Sequence, residues 1–293
     1  MKVLVSGGTG LVGRYVVEDL LSAGYAVTVG TRKPPQAGFF SQPVDFRPFH
    51  LDPKIDQSGA FEGIDAFIHA AFDHLPGKYR GGEGKDPKRF RRMNLDGSIK
   101  IFETAKEKGV QRAVFLSSRA VYDGLVSGTV LTEDLTLSPT SLYGEIKLAV
   151  EQALSALSCP DFVTASLRAT GVYGEFRPNK WDDLIADALS GKPVAPRAGT
   201  EVHGADVAQA IRLLLTTDAF SVNGQSFNIS DVTVDTRTIL EKLGLSAQLV
   251  AFAALSANEM TTEKIRRIGW LPGGMRRFDE TMAILARQIE DSH

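Results

Sequence analysis

Tyr143 and Lys147 lie four residues apart in SLYGEIKLAVEQAL, a stretch whose apolar spacing predicts a helix. A separation of four stacks two helical side chains on one face, so a phenol and an ammonium share one small volume. That pairing suits proton transfer. A free tyrosine titrates near pH 10, and bringing it to about 7 takes roughly 4 kcal/mol of preferential stabilisation of the phenolate, at 1.36 kcal/mol per unit. A neighbouring ammonium and a second positive charge in a partly dry cleft supply stabilisation of that order. Ser117 and Ser118 end the apolar run AVFLSS upstream of the pair, and place hydroxyls where a strand would deliver them.

A second chemical signal opens the chain. In GGTGLVG the glycines Gly7, Gly10 and Gly13, with Thr9, Leu11 and Val12 between and beside them, follow a predicted strand and begin a predicted helix. In that setting residues without side chains let the backbone approach a pyrophosphate at the positive end of a helix. The next predicted strand ends in Thr31, Arg32 and Lys33, where an NAD-selective site places an acid on the ribose hydroxyls. Here the acid is missing. Arg32 offers a planar fork of donors matched to the extra phosphate of NADP, and Lys33 adds charge, so NADP is the expected cofactor, with NAD as the alternative. Leu51 and Asp52 follow the third strand and are placed to meet the adenine. Ala70 and Ala71 leave room for a ribose after the fourth, and His69 reads equally well as a core residue.

The elements that must position these groups alternate as βαβ units do around a parallel sheet. Strands are expected at 2–6, 26–31, 44–49, 66–70, 112–117 and 162–167, with helices between. One helix is expected from Asp86, as N-cap before Pro87, to a left-handed cap at Gly109. After Arg168 the pattern loosens around Pro178, Pro193 and Pro196, then resumes as a helix over 205–215 and a strand over 227–229. From about Val232 the chain reads as helices. The expected organisation is a Rossmann-type doubly wound α/β domain, 1–168 plus about 204–230, and a smaller substrate lobe, about 169–203 and 231–293.

Composition narrows the partners. The 293 residues carry 33 Lys and Arg against 35 Asp and Glu, a formal charge of -2 that offers no general attraction to nucleic acid or to an anionic membrane. A single cysteine, Cys159, cannot form an internal disulfide and lacks companions for a zinc site; His50, His74 and His293 have no ligand spacing, so no metal is expected. No segment reaches the roughly 18 apolar residues of a membrane helix, and no export signal is legible, which suits a cytoplasmic protein.

Taken together, GGTGLVG, Asn94 in MNLDGS, SSRAVYDG, YGEIK, LRATGVYG and HGADVAQAI occur in the order seen in the extended branch of the short-chain dehydrogenase/reductase superfamily, which this chain resembles in its NAD-dependent epimerase/dehydratase family. The resemblance spans about the first 230 residues. It implies that Tyr143 is the general acid/base at a substrate hydroxyl or carbonyl, and that Lys147 holds the nicotinamide ribose and lowers the tyrosine pKa. Ser118, counted back from Val121 and Tyr122, would bind the reacting oxygen. Asn94 would brace helix and sheet behind the site and, with Ser117, count among the cofactor-binding residues, and Thr170 and Val172 would line the nicotinamide end. His203 and Asp206 would join the two lobes. Dimerisation through the helix bearing Tyr143 and the one before it is common in the superfamily, so a homodimer is among the assemblies the resemblance implies.

Substrate clues are coarser. Phe72, Arg119, Tyr173 and Trp181 are expected on the substrate side of the cleft, with Asn179 beside Trp181. Between Phe72 and Asn94 seven basic residues (Lys78, Arg80, Lys85, Lys88, Arg89, Arg91, Arg92) face Asp73, Glu83 and Asp86, an excess of four charges that would steer an anionic substrate. Gly77, Gly81, Gly82 and Gly84 make the same segment a candidate lid. Two departures matter: Ala169 stands where the family often has proline, and Thr200 and Glu201 stand where sugar-nucleotide members carry an arginine, the nearest being Arg197. The expected activity is hydride transfer at a secondary alcohol or ketone of a sugar, sugar nucleotide or related small molecule. The alternative is a catalytically silent NADPH-sensing protein on the same fold.

Overall fold

The computed structural model describes residues 1–75, 82–245 and 257–291. Seven strands form one sheet in the order β3-β2-β1-β4-β5-β6-β9. They are β1 (Lys2–Ser6), β2 (Ala26–Thr31), β3 (Asp45–Pro48), β4 (Ala66–His69), β5 (Arg112–Ser118), β6 (Val163–Ala169) and β9 (Gln225–Ile229), and every pairing is parallel. The order reverses between β1 and β4, so the crevice at their carboxyl ends is where an open α/β sheet binds its ligand. A second sheet of three strands, β10-β8-β7, is built from β7 (Gly171–Tyr173), β8 (Ala198–His203) and β10 (Val232–Asp235).

Helices α1 (Leu11–Ser22), α2 (Pro87–Arg91), α3 (Gly97–Glu107), α4 (Leu142–Leu157), α5 (Asp182–Leu189), α6 (Gly204–Thr216), α7 (Ala219–Val222), α8 (Thr236–Lys242), α9 (Glu263–Arg267) and α10 (Gly274–Glu290) complete the fold. One sheet face packs on α1 and α6 through Val3, Val5, Val16, Leu20, Ile211 and Leu215. The other packs on α3 and α4 through Phe67, Phe102, Phe115, Ile146 and Val150. Central strands buried on both faces read as continuous apolar runs, which is why VLV and FLS carried so clear a signal.

The helix expected over 86–109 is present but interrupted. Asp86 caps it by accepting from the Arg89 N–H at 2.9 Å, and Gly109 closes it at φ +79°. Between α2 and α3, Arg92–Asp96 winds as a π-helical turn, where the Asn94 side chain bonds the Asp73 backbone and the Phe90 carbonyl. The first turn of α3 lies so close to the loop after β3 that a Cβ on Gly97 would collide with the Leu51 carbonyl.

The reading of the second half needs correction. β7, β8 and β10 were not expected, and β10 lies in a segment read as helical. Each is three to six residues long, too short for alternation to show, and each exists through pairing: Val232 opposite Glu201, Gly171 opposite Glu201, Tyr173 opposite His203. The smaller lobe has its own core of Tyr173, Trp181, Ile185, Phe278, Met282 and Leu285. Ile265 and Trp270 instead join the main core beside α6. Among the described residues no helix is long and apolar enough to cross a membrane.

Candidate active site

One continuous cleft of about 1710 Å³ runs from the glycine turn, across the ends of β4, β5 and β6, to the smaller lobe. That is more than one small ligand needs, and fits a dinucleotide with a second molecule beyond it.

At the first end, Gly7 adopts φ +72° and its carbonyl accepts from the Gly10 N–H at 2.9 Å, so the turn leads directly into α1. A Cβ on Gly7 would lie 2.7 Å from the Ala71 nitrogen, and one on Gly13 would strike the Gly7 carbonyl. The backbone is therefore packed against Ala70 and Ala71 with no space for side chains, while Thr9, Gly10, Leu11 and Val12 line the cleft. These residues fit a pyrophosphate on the free amides of a helix start. Arg32 lines the same cleft at the end of β2; Leu51 and Asp52 line it after β3. Asp52 accepts from the Lys54 N–H at 3.1 Å and lies 4.0 Å from the Arg92 guanidinium.

Three sequence candidates stand off the wall. Lys33 is exposed and its carbonyl accepts from Thr31 Oγ1, so only Arg32 of that pair faces the cleft. Asn94 is buried behind it, tied to Asp73 and Phe90 as described, rather than on the cofactor wall. Tyr173, expected at the substrate, is fully buried between Trp181, His203 and Phe278 because β7 turns it into the small-lobe core. His69 also belongs to the core. It bonds Ser6 Oγ at 2.7 Å and Ser98 Oγ at 2.9 Å, and burial pushes its pKa down to about 3.

At the catalytic end, Ser141 caps α4 by accepting from the Gly144 N–H at 3.1 Å, which sets the helix phase that carries Tyr143 and Lys147 to the cleft. Gly144 permits this approach, since a Cβ there would collide with the Ala120 carbonyl. Lys147 is 4% exposed, and its Nζ donates to the Leu116 carbonyl at 2.7 Å. The ammonium lies 4.6 Å from the ring centres of both Phe72 and Phe115 and 5.8 Å from that of Tyr143. Burial pushes its pKa down to about 7, with the Glu151 carboxylate opposing. Phe72 meets the Tyr143 ring edge to face at 5.1 Å, fixing the phenol's plane. Ser118 Oγ accepts from the Ala120 N–H at 3.1 Å, which leaves its own proton available to donate. Ser117 Oγ is buried at the cleft with no hydrogen-bond partner among the described residues.

Beneath this layer, Arg168 is held by Glu151 at 2.8 Å and donates to the Tyr122 hydroxyl at 2.8 Å, which in turn bonds Asn228 Oδ1 at 2.8 Å. The ion pair ties α4 to the end of β6 one turn below Lys147. Arg119, Thr170, Val172 and Trp181 line the outer half of the cleft, as do Asn179, Lys180, Arg197 and Glu201. Lys180 and Glu201 form an ion pair there that the sequence did not reveal, because β8 itself was not legible. Of the basic segment, Arg89 lines the cleft and pairs with Asp73 at 2.6 Å; Lys85, Lys88, Arg91 and Arg92 are exposed elsewhere. Lys78, Arg80, Gly77 and Gly81 lie outside the described residues, as does His293. Among the described residues no group of three or more His, Cys, Asp or Glu is placed to hold a metal ion.

Residues 3–230 match the NAD dependent epimerase/dehydratase family. The chain belongs to that family. It is thereby a member of the extended short-chain dehydrogenase/reductase superfamily, as its motifs suggested. Among curated relatives of this family member, human sterol-4-alpha-carboxylate 3-dehydrogenase (decarboxylating) is 32% identical over 195 residues, 65% of this chain and 50% of that one. UDP-glucose 4-epimerase of Lacticaseibacillus casei is 34% identical over 163 residues, 53% of this chain and 46% of the other. The chain thus spans about half the length of these curated relatives. Among solved structures, MoeE5 in complex with UDP-glucose and NAD superposes with a TM-score of 0.78 at 25% identity, covering 100% of this chain and 99% of that one. The UDP-glucose 4-epimerase of Thermus thermophilus in complex with NAD gives 0.76 at 25%, covering 97% and 99%.

Proposed function

We propose that this family member is an NADP(H)-dependent enzyme that transfers hydride at a secondary alcohol or ketone of a sugar, sugar nucleotide or related small molecule. The observation that carries the reading is the placement of the Lys147 ammonium, buried on the Leu116 carbonyl and 5.8 Å from the centre of the Tyr143 ring, in the cleft that Ser117, Ser118 and the glycine turn also line at the carboxyl edge of the sheet. A nicotinamide bound there supplies the hydride donor or acceptor.

The chain's own residues do the rest. Ser118 donates to the substrate oxygen and holds it near Tyr143, which takes or gives its proton. Lys147 is the electrostatic partner. Near neutrality it exchanges its proton readily, and a developing phenolate beside it favours the charged ammonium, so the pair stabilises the deprotonated tyrosine when it is needed. Phe72 and Phe115 keep water from the ammonium, which strengthens that coupling. Arg32, exposed at the end of β2 with no acid beside it in sequence, supports NADP over NAD. The NAD in the solved relatives is a property of those proteins.

Replacing Tyr143 by Phe removes one hydroxyl from the cleft. Turnover on a panel of sugar alcohols, their ketones and UDP-sugars, followed by nicotinamide absorbance with product analysis for epimers, should fall about 10²- to 10⁴-fold, the usual worth of a general acid/base. NADP⁺ affinity should stay within about twofold. A variant that keeps its turnover removes the role given to Tyr143; a wild-type protein that binds NADPH but turns over nothing on the panel is a sensor.

A further inference from the structure

The outer half of the cleft contains a polar pair that the proposed hydride transfer does not use. Lys180, just before α5, meets Glu201 on β8; their side chains are only 19% and 5% exposed, and both residues line the cleft. They lie against Gly171, where a Cβ would collide with both charged groups, and Glu201 Oε1 runs past Gly199, where a Cβ would come within 3.1 Å. The two glycines thus leave room for the charged groups themselves. Taking two charges out of water is costly unless further hydrogen bonds satisfy them, yet among the described residues Lys180 donates only to Glu201, and Glu201 accepts only from Lys180. Two ammonium protons and one carboxylate oxygen remain to be satisfied.

The neighbours do not compete for them. Asn179 is committed, its amide donating to the Gly174 carbonyl and its oxygen accepting from the Trp181 N–H at 2.9 Å. Trp181 is locked by stacking on Tyr173 at 5.4 Å. The pair therefore sits on a rigid wall. Its distance from the chemistry is set by the strands: Ser118 is in register with Ala169, and Gly171 follows two residues later, at most about 7 Å of extended chain. Adjacent strands are about 5 Å apart, so the backbone at Ser118 and at Gly171 is separated by at most about 9 Å, the span of a six-membered ring with its substituents.

We propose that Lys180 and Glu201 form a subsite for two adjacent neutral hydroxyls on a polyhydroxylated ring, and so make this cleft selective for polyols over apolar alcohols. The proposal deepens the hydride-transfer reading, on which it rests only for where the reacting carbon lies. A hydroxyl both donates and accepts, so one member of a vicinal diol donates to Glu201 Oε1 while its neighbour accepts from Lys180 Nζ. The two charges of the pair cancel each other, and the Arg197 guanidinium, which also lines this half of the cleft, adds positive charge beside Lys180. A cyclic alcohol lacking these hydroxyls would leave two ammonium protons and one carboxylate oxygen of the pair desolvated and without partners, the situation in which polar sites discriminate most strongly.

The test is calorimetric titration of the full chain saturated with NADP⁺, using D-glucose and myo-inositol as neutral polyol probes and cyclohexanol as the apolar ring alcohol. At least one polyol should bind the wild type. Glu201→Gln and Lys180→Met should each weaken that binding about tenfold or more, and the double variant should lose little beyond the larger single loss. Cyclohexanol binding and NADP⁺ affinity should change less than about twofold. Unchanged polyol affinity in the variants, or no polyol binding to wild type at about 10 mM, overturns the proposal. Should a variant lose NADP⁺ binding through misfolding, the wild type decides: a polyol bound at least about tenfold tighter than cyclohexanol supports the subsite, and equal affinity refutes it. Tyr143→Phe separates the two readings, since it tests turnover and leaves the Lys180–Glu201 subsite in place.

Discussion

Burial of Lys147 should be measurable as a pH-dependent cost to folding. The ammonium is held from an ordinary pKa of 10.5 down to about 7, with burial the main cause. Between these values the unfolded chain binds a proton that the folded chain does not, so stability must rise as pH rises through that window. At about 1.36 kcal/mol per unit, the two units between pH 7 and pH 9 are worth about 2.7 kcal/mol; below pH 7 the full penalty applies and the dependence flattens. Lys147→Met keeps the length of the side chain and removes the titration. Urea unfolding of wild type and variant, without added nucleotide, at pH 6, 7, 8 and 9 gives the difference directly. The variant should be the more stable protein at pH 6, and the wild type should recover about 2.7 kcal/mol relative to it by pH 9. Two stability profiles that run parallel over this range would mean that the ammonium is solvated, and the argument for its electrostatic role would lose its basis.

Two further expectations concern other parts of the cleft. Glu151→Ala would leave the Arg168 guanidinium buried without its carboxylate, a loss of about 3–5 kcal/mol in urea unfolding, and a change below about 1 kcal/mol would show that Tyr122 and water satisfy the arginine alone. Arg32→Ala should weaken NADP⁺ about tenfold or more, as expected for one charge-assisted contact to a phosphate, and leave NAD⁺ nearly unchanged. Equal losses for both dinucleotides in a fluorescence titration would remove the NADP preference.

The sheet and its glycine turn were legible because each signal is local. β1 and β2 have the boundaries read from their apolar runs, since strands buried on both faces leave little ambiguity. The Asp86–Pro87 cap and the Tyr143–Lys147 spacing likewise report short-range geometry, and both appear as read. Lys33 and Tyr173 follow residues that do line the cleft, and Asn94 braces helix and sheet behind it, because direction depends on how a strand or helix is rolled by its packing. Tyr173 turned inward because the small-lobe core needed an aromatic ring against Trp181 and Phe278.

By itself, then, the sequence determined which residue types were available, the order of the βαβ units and the presence of a phosphate-binding turn and a tyrosine–lysine pair, since these depend on periodicities of two and 3.6 residues and on glycine's freedom. Tertiary structure alone decided the burial of Lys147 on the Leu116 carbonyl, the β10-β8-β7 sheet, and the meeting of Lys180 with Glu201 across 21 residues of chain. Such features arise from contacts between segments with no local pattern in common, and the desolvation that tunes their chemistry exists only once those segments have closed over them.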